Sequence, residues 1–271
     1  MSTVHNIAAK GFGEGTNSLY DRQVSLTRRF KDFKLIKRRA RPSYQPAALS
    51  HIRAATKSAP PFKILEVGAG TGIFTRALLA HPEWTKDIKE LTAVEPSPGM
   101  RDVFAQSVKD DRVSVREGTF DTTGVESGWA DIVVIAQAFH WCPDYDHAVQ
   151  EFARVLKPDG FVVFIWNLED RDAAPWVAQL RDRIRYPFIQ SIFTPPEERT
   201  WAYDIPTTEE LTVDRACSKS YIAVLPENEK NSVIQDVRAI LERGEGKTWI
   251  DEAQGVFNYP YRTLCIISRK K

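Results

Sequence analysis

Glu66, Gly68, Gly70, Gly72 and Glu95 are the residues whose types and spacing point to chemistry. A glycine turn lets the backbone bend sharply, or lie within contact distance of a ligand where a Cβ would collide. Leu91-Thr92-Ala93-Val94 is an apolar run that ends on Glu95, and a carboxylate so placed after a glycine turn can accept both hydroxyls of a ribose. Pro96 sets the loop that follows. The dinucleotide pattern G-x-G-x-x-G fails here, because its third glycine would fall on Ile73. The spacing is instead G-x-G-x-G, with Glu66 inside the preceding strand. A pyrophosphate is repelled by a neighbouring carboxylate and an ammonium is attracted by one, so the set suits a nucleoside carrying a methionine-like tail.

These residues need elements to hold them. Residues 64–67 read as a strand, and Phe74, Ala77, Leu78 and Leu79 give the helix that follows the turn, its N-terminal N–H groups facing the ligand. Further strands are expected at 91–94, 113–116, 131–136, 161–166, 201–205 and 261–269. Ala148, Phe152, Val155 and Leu156 mark a helix before the fifth strand. Val233, Val237, Ile240 and Leu241 mark another, which Gly244 ends. This alternation predicts a parallel sheet covered on both faces, in the α/β class. Residues 169–198 interrupt it with Trp176, Tyr186, Phe188 and Phe193. Gly11, Gly13 and Gly15 repeat the glycine spacing with no strand before them, and read as a flexible entry to the N-terminal region.

With these blocks in order, the chain resembles the class I S-adenosylmethionine-dependent methyltransferases from about residue 60 to 166, and more loosely to its C-terminus. The resemblance implies a Rossmann-like doubly wound sheet of about seven strands, its last strand antiparallel, with N-terminal helices and a lid insertion. It divides one domain of 1–271 into an N-terminal helical cap (1–60), a cofactor-binding core (61–167), a lid (168–200) and C-terminal strands and helix (201–271). It implies S-adenosyl-L-methionine as cofactor, held by Glu66, Gly68, Ala69, Gly70, Gly72, Glu95, Pro96, Met100, Thr119, Phe120, Gln137 and Phe139. Gln137-Ala138-Phe139-His140-Trp141, Arg41-Pro42-Ser43-Tyr44 and Ser218-Lys219-Ser220-Tyr221 are similar to the trans-aconitate and cantharidin-resistance-type enzymes, and to fungal thiol methyltransferases of the gliotoxin kind. These methylate small molecules. Tyr20, Arg41, Tyr44 and Trp141 are then expected at the acceptor, and His140 is the candidate general base. A carboxylate or an easily ionised thiol needs little or no base; an alcohol or phenol does.

Composition bounds the alternatives. The 271 residues are 42% hydrophobic with a net charge of +1, so no global field recruits nucleic acid or a membrane. There is no apolar run long enough to span a bilayer and no signal-peptide core, and the 3 scattered cysteines suit reduced thiols. A cytoplasmic monomer or homodimer without a metal is expected. Residues 23–39 carry Leu26, Phe30, Phe33 and Ile36 on one stripe among seven Lys and Arg residues. They read as a basic amphipathic helix for a membrane or RNA, a solvated helix, or translated intron sequence. A nucleic-acid methyltransferase and a non-catalytic or repurposed cofactor-binding protein are the competing readings. No arginine cluster argues for a polycarboxylate acceptor, and the aromatic lid leans toward an apolar one.

Overall fold

The structure is a computed structural model that describes residues 41–183, 197–223 and 225–269. Tyr20, the glycines at 11–15, the segment 23–39, most of the expected helical cap and residues 184–196 of the expected lid lie outside the described residues.

Among the described residues, an eight-stranded sheet has the order β3-β2-β1-β4-β5-β8-β6, with β7 paired to β8. The strands are β1 (Phe62–Val67), β2 (Ile88–Val94), β3 (Val113–Arg116), β4 (Ala130–Ala136), β5 (Leu156–Glu169), β6 (Glu197–Thr207), β7 (Trp249–Asp251) and β8 (Val256–Arg269). β1 to β5 pair parallel, and β7 joins β8 antiparallel. All seven residues of β4 are buried, the continuous apolar run expected of a strand covered on both faces. The strand order reverses between β1 and β4, both of which start from the middle of the sheet. At such a switch point the two chains leave in opposite directions, and a crevice opens at their carboxyl ends.

The described chain forms two compact units. One comprises, among the described residues, 43–166, 197–201 and 263–269 and holds α1 (Pro46–Ala54), α2 (Ile73–Ala80), α3 (Pro98–Ser107) and α4 (Tyr145–Val155). Its core joins Phe62, Ile64, Phe74, Trp84, Phe104, Ile132, Val134, Phe161 and Val163. The Trp84 indole packs edge-on to Phe62 at 6.0 Å and donates to the Leu49 carbonyl at 3.0 Å, which ties α1 to the sheet edge. The helices start where the chain supplies caps: Ser97 accepts from the Met100 N–H, and Asp144 from the His147 N–H.

The other unit comprises, among the described residues, 41–42, 167–183, 202–223 and 225–262, with α5 (Pro175–Arg183), α6 (Glu209–Cys217), α7 (Ser220–Ala223) and α8 (Glu227–Arg243). Trp176, Val177 and Leu180 of α5 bury with Val233, Val237, Ile240 and Leu241 of α8 and with Phe257, Tyr259 and Tyr261 of β8. The expected stripe on α8 therefore faces a core, and Gly244 ends the helix at φ 59°. The expected lid segment contributes Trp176 to this core.

Three strands are longer than the sequence pattern suggested. Leu156-Lys157-Pro158-Asp159-Gly160, whose Pro-Asp-Gly reads in sequence as a turn, is the irregular beginning of β5: Ala130 pairs with Leu156 and Ile132 already with Phe161, so the intervening residues bulge from the ladder. β6 and β8 extend beyond the 201–205 and 261–269 windows: residues 197–200 of β6 are polar and exposed, and the outer half of β8 alternates buried with half-buried residues, both weaker signals than an apolar run. The three-residue β7 is the eighth strand, where about seven were expected.

Truncating Phe62, which is fully buried against Trp84, should leave a cavity that the rigid sheet edge does not close. Phe62→Ala is expected to cost about 3–5 kcal/mol in urea unfolding; a loss below about 1 kcal/mol would show that the α1 corner repacks freely.

Candidate functional site

The glycine turn is built from β1 outward. The N–H groups of Gly68 and Ala69 both donate to the Val94 carbonyl, at 2.9 and 3.1 Å, and the Gly72 N–H closes the turn on the Ala69 carbonyl at 3.0 Å. Gly68, Gly70 and Gly72 all have positive φ, the left-handed region in which side chains strain. Their surroundings differ. A Cβ on Gly68 would meet the Ala138 Cβ at 2.6 Å, and one on Gly72 would meet Val108 Cγ2 at 2.8 Å. Those two positions are closed by packing. A Cβ on Gly70 would meet nothing within 4 Å, so Gly70 is where the backbone faces open space.

Glu95 fastens this turn to the second strand. Its Oε2 accepts from the Gly70 N–H at 2.8 Å and its Oε1 from the Ser97 N–H at 3.0 Å, while the residue is only 1% exposed. Arg101 holds the same loop from outside, donating to the Glu95 and Pro96 carbonyls at 2.8 and 2.7 Å. Arg76 does so for the turn, donating to the Thr71 carbonyl at 2.7 Å. Met100 begins α3 on the Ser97 cap. Thr119 lies in the exposed loop after β3, its hydroxyl on Asp121 at 2.6 Å.

Glu66 is buried beneath the turn. Thr75 Oγ1 of α2 donates to its Oε2, and burial pushes the carboxyl up to about 8 despite that bond. It latches β1 to α2 from below, a contact its position in the sequence did not signal.

β4 delivers the other wall. Gln137 takes φ 55° directly after the strand, while its N–H still donates to the Ile165 carbonyl at 2.9 Å. A non-glycine residue in this region costs on the order of 1–3 kcal/mol, and such strain collects at functional sites. The bend aims Ala138 at Gly68. It also places Phe139 among Phe120, Tyr145, Phe152 and Phe164, at ring distances from 4.6 to 6.1 Å. Phe139, His140 and Trp141 share one 3₁₀ turn, with the last two rings 5.3 Å apart. Cys142 next to them is a poor nucleophile: burial pushes its thiol up to about 12.

Glu66, Gly68, Ala69, Gly70, Gly72, Glu95, Pro96, Met100, Phe120, Gln137 and Phe139 thus all lie at the carboxyl ends of β1 to β4 or in the helices and loops these open. Of the residues expected at the acceptor, Trp141 and His140 share that edge. Tyr44 instead packs its ring edge-on to Phe74 at 5.2 Å within the core and is 7% exposed. Arg41 belongs to the other unit, where it donates to the Ser218 carbonyl at 2.6 Å. Residues not singled out from the sequence also shape the site: Thr75, Arg76, Ser97 and Arg101. Only Ser97 had a legible signal, a capping residue followed by Pro98 at the helix start.

Residues 65–164 match the methyltransferase domain family. The matched segment spans the glycine turn, Glu95, the β4 edge and most of β5. Over 84% of its length the chain is similar, at 28% identity, to an uncharacterized methyltransferase of Mycobacterium tuberculosis, of which the match covers 90%. A shorter match, 29% identical and covering 46% of this chain and 49% of the relative, is to the malonyl-[acyl-carrier protein] O-methyltransferase of Serratia marcescens. A solved structure from Anaeromyxobacter dehalogenans, assigned as a type II methyltransferase, superposes with a TM-score of 0.59 at 16% identity, over 84% of this chain and 97% of that one. The last likeness is one of fold.

The Glu66 geometry has a consequence for stability. The folded carboxyl keeps its proton up to about 8, whereas the unfolded one releases it near 4.5, so the native state binds more protons between these values and stability falls as pH rises through them. Glu66→Gln, which keeps an acceptor for Thr75, should flatten that fall. At pH 8 it should raise unfolding free energy above wild type by about 4 kcal/mol, against little change at pH 4. Parallel urea titrations of both proteins at the two pH values check this; equal slopes would mean Glu66 ionises freely.

Proposed function

We propose that this chain transfers a methyl group from S-adenosyl-L-methionine to a small-molecule acceptor bearing a carboxylate, thiol or hydroxyl. The observation that carries the reading is the bond between Gly70 and Glu95 at the strand-order reversal. It sets an open backbone face and a buried acid side by side at the carboxyl edge of the sheet. The match of residues 65–164 to methyltransferase domains supports it. The name of the Serratia relative, an O-methyltransferase, supports oxygen as the receiving atom.

The residues present fit the cofactor. Glu95, which already holds the turn through Gly70, would take the ribose hydroxyls. Gly70 would let the nucleoside approach the backbone. Glu66, Gly68, Ala69 and Gly72 would shape the seat of the amino-acid end, and Pro96, Met100, Thr119, Phe120, Gln137 and Phe139 the surroundings of the base. The bound sulfonium supplies an activated methyl and a neutral leaving group. The protein's task is then to align the acceptor in line with that methyl and to exclude water, which together can supply several kcal/mol of the barrier. His140, just past β4 beside Trp141, would take the proton of a hydroxyl acceptor and is dispensable for a carboxylate.

Binding of S-adenosylhomocysteine tests the cofactor site. Glu95→Gln and Glu95→Ala should weaken it at least tenfold in calorimetry, about 1.4 kcal/mol, with native circular dichroism retained in the Gln variant. Undiminished affinity in both would put the ligand elsewhere. For the base, His140→Ala should lower turnover of a phenolic acceptor at pH 7 and recover part of it at pH 9, where the phenol ionises unaided. Turnover equal to wild type at pH 7 would make His140 a packing residue.

A further inference from the structure

The buried acids of the unit that carries the glycine turn are not held alike. Asp131 is paired with Lys157 at 2.8 Å and Glu151 with Arg154 at 2.7 Å, so each meets a full positive charge. Glu95 accepts the N–H groups of Gly70 and Ser97. Glu66 is met by a neutral hydroxyl, that of Thr75, and is 1% exposed. Its neighbours across the sheet are Ala93 on β2 and Val134 on β4, both buried and apolar. A carboxyl group so surrounded has lost its water and gained one uncharged donor in exchange.

Two charged groups act on Glu66 among the described residues, and they oppose each other. Arg76 of α2 favours the ionised form, but its guanidinium also serves the Thr71 carbonyl at 2.7 Å and the Ser107 hydroxyl at 2.8 Å. Glu95, at the end of β2, disfavours it, because two carboxylates beside one turn repel. Of the two acids, Glu95 has the two N–H donors and is the better placed to stay ionised. Burial outweighs Thr75 and Arg76 and pushes the Glu66 carboxyl up to about 8.

Glu66 ends its strand just before Gly68, and Gly70 is where the same turn faces open space. We infer that this turn is a proton-coupled ligand seat: Glu66 carries a proton in the free protein and gives it up when the cationic amino-acid end of a ligand lies at the turn. A positive charge set near a buried acid favours its ionised form through space, without direct contact. The O–H bond of the carboxyl breaks, its electron pair stays on the oxygen, and the proton passes to the buffer. The identity of the ligand rests on the methyl-transfer reading; the coupling is measured apart from it.

Calorimetry of S-adenosylhomocysteine binding to the full chain at pH 7, in phosphate and in imidazole buffer, counts the protons released. About 0.9 proton per site should leave, the share that a group titrating near 8 holds at that pH. Affinity should rise about fivefold from pH 7 to pH 8, because the complex binds fewer protons than the free protein. Adenosine, which has the nucleoside but no amino-acid end, should release none and show no such rise. Glu66→Gln should abolish both the release and the rise for S-adenosylhomocysteine. Binding without proton release in wild type, or equal release with adenosine, overturns the inference, and neither result needs the variant to fold. Release that persists in Glu66→Gln overturns it as well. A protein that binds neither compound would sink the methyl-transfer reading, and the inference with it.

Discussion

A buried carboxyl group that spends both oxygens on backbone N–H groups constrains everything built around it. Glu95 does this at the end of β2: one oxygen takes Gly70 from the turn after β1, the other takes Ser97 at the start of α3. Left unmet, these donors and acceptors would each cost about 1–3 kcal/mol in so closed a place, so the two loops can move only together. Arg76 and Arg101 then clamp the outer carbonyls of the same loops. The result is a turn and a loop whose shapes are fixed together at the carboxyl edge of the sheet.

The three glycines share this site but not one reason for being glycine. Gly68 and Gly72 lie against Ala138 and Val108, where any side chain would clash, so they let β1 and α2 approach their neighbours. Gly70 alone combines a positive φ with free space. Gln137 applies the same logic in reverse: a residue with a side chain is held in a glycine-like conformation, and the strain turns the chain so that Ala138, Phe139, His140 and Trp141 line the edge of β4.

The two units rest on different physics. In the one that carries the glycine turn, parallel strands are sealed by apolar residues, and its buried acids each find a local donor. In the other, an aromatic core of Trp176, Phe257, Tyr259 and Tyr261 lies with a buried ion pair in which Arg215 and Lys219 share the Glu169 carboxylate.

Local pattern was enough to read β1, β2, β4 and α8, each an apolar run or stripe bounded by glycine, proline or a capping residue, and β3, where Val113 and Val115 alternate with polar residues. Glu95 was legible as a strand-end acid for the same reason: it sits at the end of such a run. Strand lengths were not, since residues 197–200 of β6 are polar and exposed, the outer half of β8 alternates, and the bulge at 157–160 resembles a turn. Nor were the roles of Tyr44, which the core absorbed, or of Glu66, whose partner Thr75 lies a turn of helix away. The chain order by itself determined the α/β class, because periodicity and glycine spacing act between near neighbours. Which glycine faces open space, how far Gln137 is bent, and that Arg215 and Lys219 meet on the Glu169 carboxylate were decided only by tertiary structure, because Coulombic and steric interactions depend on distance in space and not along the chain.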